Sequence, residues 1–389
     1  MLGGRRITED LGRPDYLGWM RQGQRRWQIL KEKRENNLAW FYCGAVLFAA
    51  SFLLLYLARK ADGMAQWYTL HIYPVIVGTV GRVFGWFPVS AAEILLYLTI
   101  ALALAGFFRL ILRLALKKGG KKEAAHYFSG IWLTASILFF LYTLNCGINY
   151  QRLSFSEQED IRTGEYSVDE LIRVCEILTR EVNSYAEQVA RDGDGLMVLD
   201  GSERERAVKA MYSLGEKYEG MAGYYPQPKA LSGSWLLSIQ NLTGIYAPFT
   251  VEANYNNDMT DYNIPFTACH ELSHLRGFMQ EEEANFIAYL ACMESGAAEF
   301  RYSGSLLGWI HCTNALRRED TEAWRKVREK LSEKAAADLL ANSEFWSSYE
   351  GTAAEVSEKI NDRYLKANGQ ADGVKSYGRM VDLLIAYYN

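Results

Sequence analysis

The sequence predicts an α-helical membrane anchor followed by a mainly helical α+β domain that carries a small antiparallel sheet. Three observations lead there. Long apolar runs crowd the first 150 residues, helical apolar spacing fills most of the remainder, and one stretch near Gly233–Asn256 alternates in the manner of strands.

The anchor comes first. Residues 38–58 read LAWFYCGAVLFAASFLLLYLA and residues 127–148 read YFSGIWLTASILFFLYTLNCGI, both without a charge. Each has the roughly 20 residues a helix needs to cross hydrocarbon. Between them, residues 89–112 are apolar apart from Glu93 and Arg109 near the two ends, where a charged side chain can snorkel to the interface. Three spans are therefore expected within an anchor of residues 38–148.

Basic residues orient the anchor. Residues 1–37 carry Arg5, Arg6, Arg13, Arg21, Arg25, Arg26, Lys31, Lys33 and Arg34. The loop after the second span carries Arg113, Lys117, Lys118, Lys121 and Lys122, whereas residues 59–88 have only Arg59, Lys60 and Arg82. By the positive-inside rule the two rich segments are cytoplasmic, and residues 149–389 form an extracytoplasmic domain of a multi-pass membrane protein. The basic N-terminal segment is too long for a cleavable signal peptide, so the first span reads as a retained anchor. Met64–Gly81 is uncharged and long enough for a fourth span. Gln66, His71, Pro74 and the surrounding Trp67, Tyr68, Tyr73 and Trp86 instead suit an interfacial or re-entrant element, and a fourth span would export the lysine-rich loop.

Beyond Tyr150 the pattern is helical. Val168–Val189 places Leu171, Val174, Cys175, Leu178, Val182 and Tyr185 on one face, with Ser167 as N-cap. Similar spacing recurs at 203–219, 302–312, 319–341, 352–366 and 374–388. Only Gly233–Asn256, with β-branched and aromatic alternation broken at Gly244 and Pro248, predicts two or three short strands.

Composition excludes several functions. The 42 basic and 46 acidic side chains leave a net charge of -4, with none of the basic surplus a nucleic-acid binder needs. Six cysteines contain no CxxC pair, so no zinc ribbon or thioredoxin motif is present. Three spans without a buried charge pair offer no transport pathway. The mean hydropathy of -0.14 is the average of an apolar anchor and a polar domain.

The chemistry lies in Thr267–Gly277, TACHELSHLRG. His270 and His274, two of only five histidines, are spaced i and i+4, so on a helix both imidazoles can reach one ion. Zinc favours such nitrogen donors. Glu271 stands beside that ion, where it can take a proton from water. Pro265 and Gly277 bracket the helix. A third ligand is expected from Glu281, Glu282 or Glu283, which open the next apolar helix; the plainer reading of any two of them is complementarity to the helix dipole.

HELSH followed by ExxAN resembles the gluzincin branch of the zincin metallopeptidases. The resemblance implies that Glu281 is the third zinc ligand and that Asn285 orients a ligand histidine. Taken whole, with three spans, PFTACHELSHLRGFMQEEEANFIAYLAC and YLKANGQADGVKSYGRMVDLL, the chain resembles an uncharacterised family of bacterial membrane proteins with a gluzincin-like domain. It departs from gluzincins in the gap of only six residues between His274 and Glu281, which keeps Glu282 as a rival ligand. His-xx-Gly277 is similar to metzincins, but their third ligand would fall on Gln280, a poor zinc donor. Such a short connection has to turn sharply at Gly277.

The expected function is hydrolysis of peptide bonds by a zinc-activated water, on envelope or membrane-associated protein substrates, with Glu271 as general base and acid. His311, Tyr302, Tyr377 and Arg379 are candidates for a second oxyanion donor. By the same resemblance Ile245–Asn254 is an edge that accepts substrate backbone, although a plain core hairpin has the same pattern. The competing function is a non-catalytic, zinc-stabilised binding or sensor domain in a membrane complex, against which Glu271 speaks, since a structural site needs no base.

Overall fold

The computed structural model describes residues 16–370, 373 and 379–389, with side chains from residue 37 onward. Arg5, Arg6, Arg13 and Tyr377 therefore lie outside the described residues. The chain divides into two compact units, residues 1–50 with 100–138 and residues 51–99 with 139–389.

Helix α1 (Tyr16–Lys60) starts well before the apolar run, so the second half of the basic segment is helical and continuous with the span. Three short helices follow, α2 (Met64–His71), α3 (Tyr73–Ile76) and α4 (Arg82–Gly85), with a π-helical turn at Val77–Gly81. Then come α5 (Ala91–Ala115) and α6 (Lys121–Tyr142), the latter prolonged by a π-helical turn at Thr143–Gly147 and a 3-10 turn at Asn149–Gln151. Among the described residues three stretches are long and apolar enough to cross a membrane: Asn37–Lys60, Ala91–Ala115 and Lys121–Gln151. Only 11% and 6% of the first two are buried, an arrangement that suits lipid rather than water. In the first unit α1 and α6 touch where the Trp132 indole covers Gly44 and donates to Phe41 O at 3.2 Å.

In the second unit, residues 64–85 follow the end of α1 and form a strap. One of its faces packs inward through Ala65, Tyr68, Tyr73 and Val77, while Trp67, Val75 and Trp86 stay exposed. Helices α7 (Phe155–Gln158), α8 (Val168–Ala186) and α9 (Glu203–Lys217) follow. Ser167 caps α8 in a reciprocal box with Glu170, as serine three residues before glutamate favours.

The strand-rich stretch folds only partly as expected. Strand β1 (Lys229–Ala230) precedes it, Ser234–Ser238 is a helix, α10, and β2 (Gly244–Ala247) and β3 (Glu252–Tyr255) form a hairpin. The sheet is mixed, not antiparallel: in the order β1-β3-β2, β1 runs parallel to β3 and β2 antiparallel to it. The long connection from β1 through α10 lets β1 lie parallel, which a tight hairpin cannot do.

Four elements build the core around the motif: α11 (Asn263–Leu275), α12 (Glu281–Glu294), α13 (Ala298–Glu319) and the sheet. Helix α13 also packs on α8, where Trp309 Nε1 donates to Thr179 Oγ1 at 2.9 Å. The helix expected at 319–341 is two, α14 (Thr321–Glu329) and α15 (Glu333–Ser347), because Asp320 and Ser332 each cap a new N-terminus. Helix α16 (Thr352–Ala367) and helix α17 (Met380–Tyr388) complete the chain.

Candidate metal centre

Helix α11 is buried along nearly its whole length, packed against α9, α12, α13 and both hairpin strands. At its end Gly277 takes φ +97°, the left-handed conformation that glycine adopts without strain. Gly277 N donates to His274 O at 2.9 Å and Phe278 N to Ser273 O at 3.1 Å, the paired bonds of a Schellman end. That turn brings the Phe278 carbonyl back over the helix, where it lies 2.8 Å from His274 Nδ1. A proton held on Nδ1 leaves Nε2 free as a donor atom.

The sharp turn also aims α12 at the histidines. Glu281, the first residue of α12, places Oε2 3.3 Å from His270 Nε2 and 3.7 Å from His274 Nε2. One ligand atom from each of these three residues falls within 4.8 Å of the other two. The neighbouring glutamates turn elsewhere. Glu282 accepts from Gln370 Nε2 at 2.8 Å, and Glu283 accepts from Ser156 N at 3.0 Å and from its hydroxyl. Asn285 lines the same cavity and lies near enough to His270 to favour its protonated form.

Burial sets the proton affinities. It pushes the Glu271 carboxyl up to about 8. Burial opposes charge on His274, but the Glu281 and Glu271 carboxylates carry it up to about 9. Burial also opposes charge on Glu281, yet the two imidazoles hold it well below the usual carboxylate range. His270 is lowered by burial and by His274 beside it. Glu271 Oε2 and His270 Nδ1 are buried without a hydrogen-bond partner. Three converging donors with an adjoining carboxylate could hold a divalent ion and move a proton beside it.

These residues open into a cavity of about 700 Å³. Its other walls are β2 with the loop before it, Tyr142, Cys146 and Tyr150 from the end of the third apolar stretch, and Tyr364 of α16. Strand β2 pairs only with β3 among the described residues, so its outer edge is open.

Of the further candidates, His311 lines the cavity, and burial lowers it to about 4. Tyr302 does not; its hydroxyl donates to Asp338 in the core. Arg379 is exposed and is not part of the cavity wall. Two contributors have no signal in the sequence. Gly244 lies against the Glu271 carboxylate, and the Tyr73 hydroxyl donates to Leu275 O at 3.0 Å across 202 positions of chain.

A family model described as "Protein of unknown function (DUF3810)" matches residues 68–385, from within the strap to α17. No curated protein and no solved structure matches the chain.

Proposed function

Since the chain belongs to the DUF3810 family, whose description assigns no activity, we propose from the geometry of the centre that it is a membrane-anchored, zinc-dependent metallopeptidase of gluzincin type. One observation carries the reading: two imidazoles and a carboxylate converge beside the unpartnered Glu271 Oε2. Two donors at ordinary zinc distances on a tetrahedron lie roughly 3.3 Å apart. Glu281 Oε2 lies at that distance from His270 Nε2, 3.3 Å, and somewhat farther from His274 Nε2, 3.7 Å. Three protein ligands characterise catalytic rather than structural zinc, which is usually closed by four.

Zinc bound by His270, His274 and Glu281 would supply Lewis acidity, activating water and polarising a carbonyl oxygen. Glu271 takes the proton of the attacking water and gives it to the leaving amine. The open edge of β2 receives substrate backbone, and His311 is the candidate donor to the oxyanion. The excess of basic residues in 1–37 and 113–122 supports an extracytoplasmic catalytic domain. Labelling of a cysteine introduced after residue 160 tests the side of the membrane.

Elemental analysis of the purified full chain tests the centre itself. About one zinc per chain is expected, and a content near zero overturns the proposal.

A further inference from the structure

We propose that the outer face of the strap and the β2 rim of the cavity are seated in the lipid headgroup layer, so that the cavity takes its substrate from the membrane surface, as a polypeptide anchored in the same bilayer. The word substrate rests on the peptidase reading; the seating does not.

The strap is tied to the membrane at both ends, because the chain leaves one apolar stretch at Lys60 and enters the next at Ala91. Its inner face is buried in the α+β domain, yet its outer face is apolar. Trp67 is 53% and Trp86 80% exposed, with Phe87 beside them. A water-facing helix on a soluble core shows the opposite pattern, whereas tryptophans on an outer apolar face are the mark of an interfacial helix.

The cavity rim is fastened to the same level. In the first turn of α5, Glu93 accepts from Ser232 N at 3.0 Å and Gly233 N at 2.7 Å, which sets α10 and its exposed Trp235 beside the start of a span. Beyond β2, Asn145 Nδ2 donates to Pro248 O at 2.7 Å. The turn after β2 is thus tied to the end of one apolar helix, and the turn before α10 to the start of another, with Ile245 on β2 and Phe249 just beyond it exposed. The cavity wall includes the third stretch itself: Lys121–Tyr142 has 22 residues, and a helix of about 20 crosses the hydrocarbon. Counted from Tyr127, where the uncharged run begins, the boundary falls near Cys146, and at 1.5 Å per residue Tyr150 stands roughly 6 Å above it, at the level of the headgroup layer. A cleavable segment at this height is the part of an anchored chain just outside its own span.

Cys43 is exposed and the other five cysteines are buried, so replacing Cys43 by serine frees the chain for site-specific labelling. Spin labels at W67C, W86C, W235C and F249C, with L340C on exposed α15 as control, are read in the full chain in phosphatidylethanolamine–phosphatidylglycerol vesicles. The strap and rim labels should collide with oxygen more than with a water-soluble nickel chelate, and L340C should show the reverse. Water-like accessibility at W86C and F249C, matching L340C, overturns the seating. Circular dichroism of each labelled chain reports its folding, and zinc content, read separately, tells failure of the metal centre from failure of the seating. A casein-derived peptide bearing a palmitoyl chain should be cut at least about tenfold faster than the free peptide, because tethering raises its local concentration. Equal rates overturn the substrate class; cleavage of neither, with the labels in lipid, overturns the peptidase reading instead.

Discussion

Gly244, at the start of the edge strand, packs so closely on Glu271 that a methyl group on its Cα would come within 2.5 Å of Glu271 Oε1 and 2.8 Å of Thr267 Cγ2. The position is closed to any side chain by space. Gly244→Ala should therefore displace the carboxylate while leaving the three ligand atoms in place. Peptide hydrolysis should fall about 100-fold, with zinc content unchanged by elemental analysis. Loss of zinc together with activity would show that the strand supports the ligands and not the base.

Glu271→Gln keeps the shape of the side chain and removes its capacity to take a proton. Hydrolysis should drop by about 10²–10⁴-fold with zinc retained. If the glutamine variant holds zinc and matches the wild type in every cellular phenotype, the non-catalytic binding domain becomes the better account.

Much of the candidate site's geometry was legible in the sequence because its information is local. His270, Glu271 and His274 lie within one helical turn and a half, and the short gap to Glu281 needs only Gly277 to turn, which its φ of +97° provides. What stayed hidden depends on partners far along the chain. Tyr73 reads as an interfacial aromatic, but its ring is buried and its hydroxyl meets Leu275 O and Tyr246. SWLLS has apolar residues that suit a strand equally well; in the fold Ser234–Ser238 is a helix whose Ser234 and Ser238 hydroxyls bond Asn257 N and Asn256 Nδ2. The parallel pairing of β1 could not be read, since its two residues carry no alternation.

The three consecutive glutamates should separate by function. Only Glu281 meets the imidazoles, so Glu281→Ala should weaken zinc binding by more than about tenfold, measured by competition with a chelator. Glu282→Ala loses a bond to Gln370 and should leave zinc affinity near the wild-type value. Glu283→Ala strips Ser156 of its acceptor and should lower stability by about 1–3 kcal/mol in thermal unfolding, again with zinc retained. A stronger effect on zinc from Glu282→Ala than from Glu281→Ala would reassign the ligand.

A buried ion pair joins the sheet to the start of α5. Lys229 and Glu252 form an ion pair on β1 and β3 that is 1% exposed on both sides. Glu252 also accepts from Ala91 N at 3.2 Å and Ala92 N at 2.7 Å, at the unsatisfied start of α5, while Lys229 Nζ donates to Phe84 O at 2.8 Å. Glu252→Ala would bury an unpaired ammonium and should cost about 3–5 kcal/mol, seen as a lowered midpoint in thermal unfolding of the full chain in detergent. The double variant Lys229→Met with Glu252→Leu leaves no unpaired charge and should recover part of that loss. Recovery stays incomplete because the two amide groups of α5 still lack their acceptor, a deficit of about 1–3 kcal/mol per group. A single variant within about 1 kcal/mol of the wild type would mean that the pair is solvated like a surface ion pair, and that something other than Glu252 fastens α5 to the sheet.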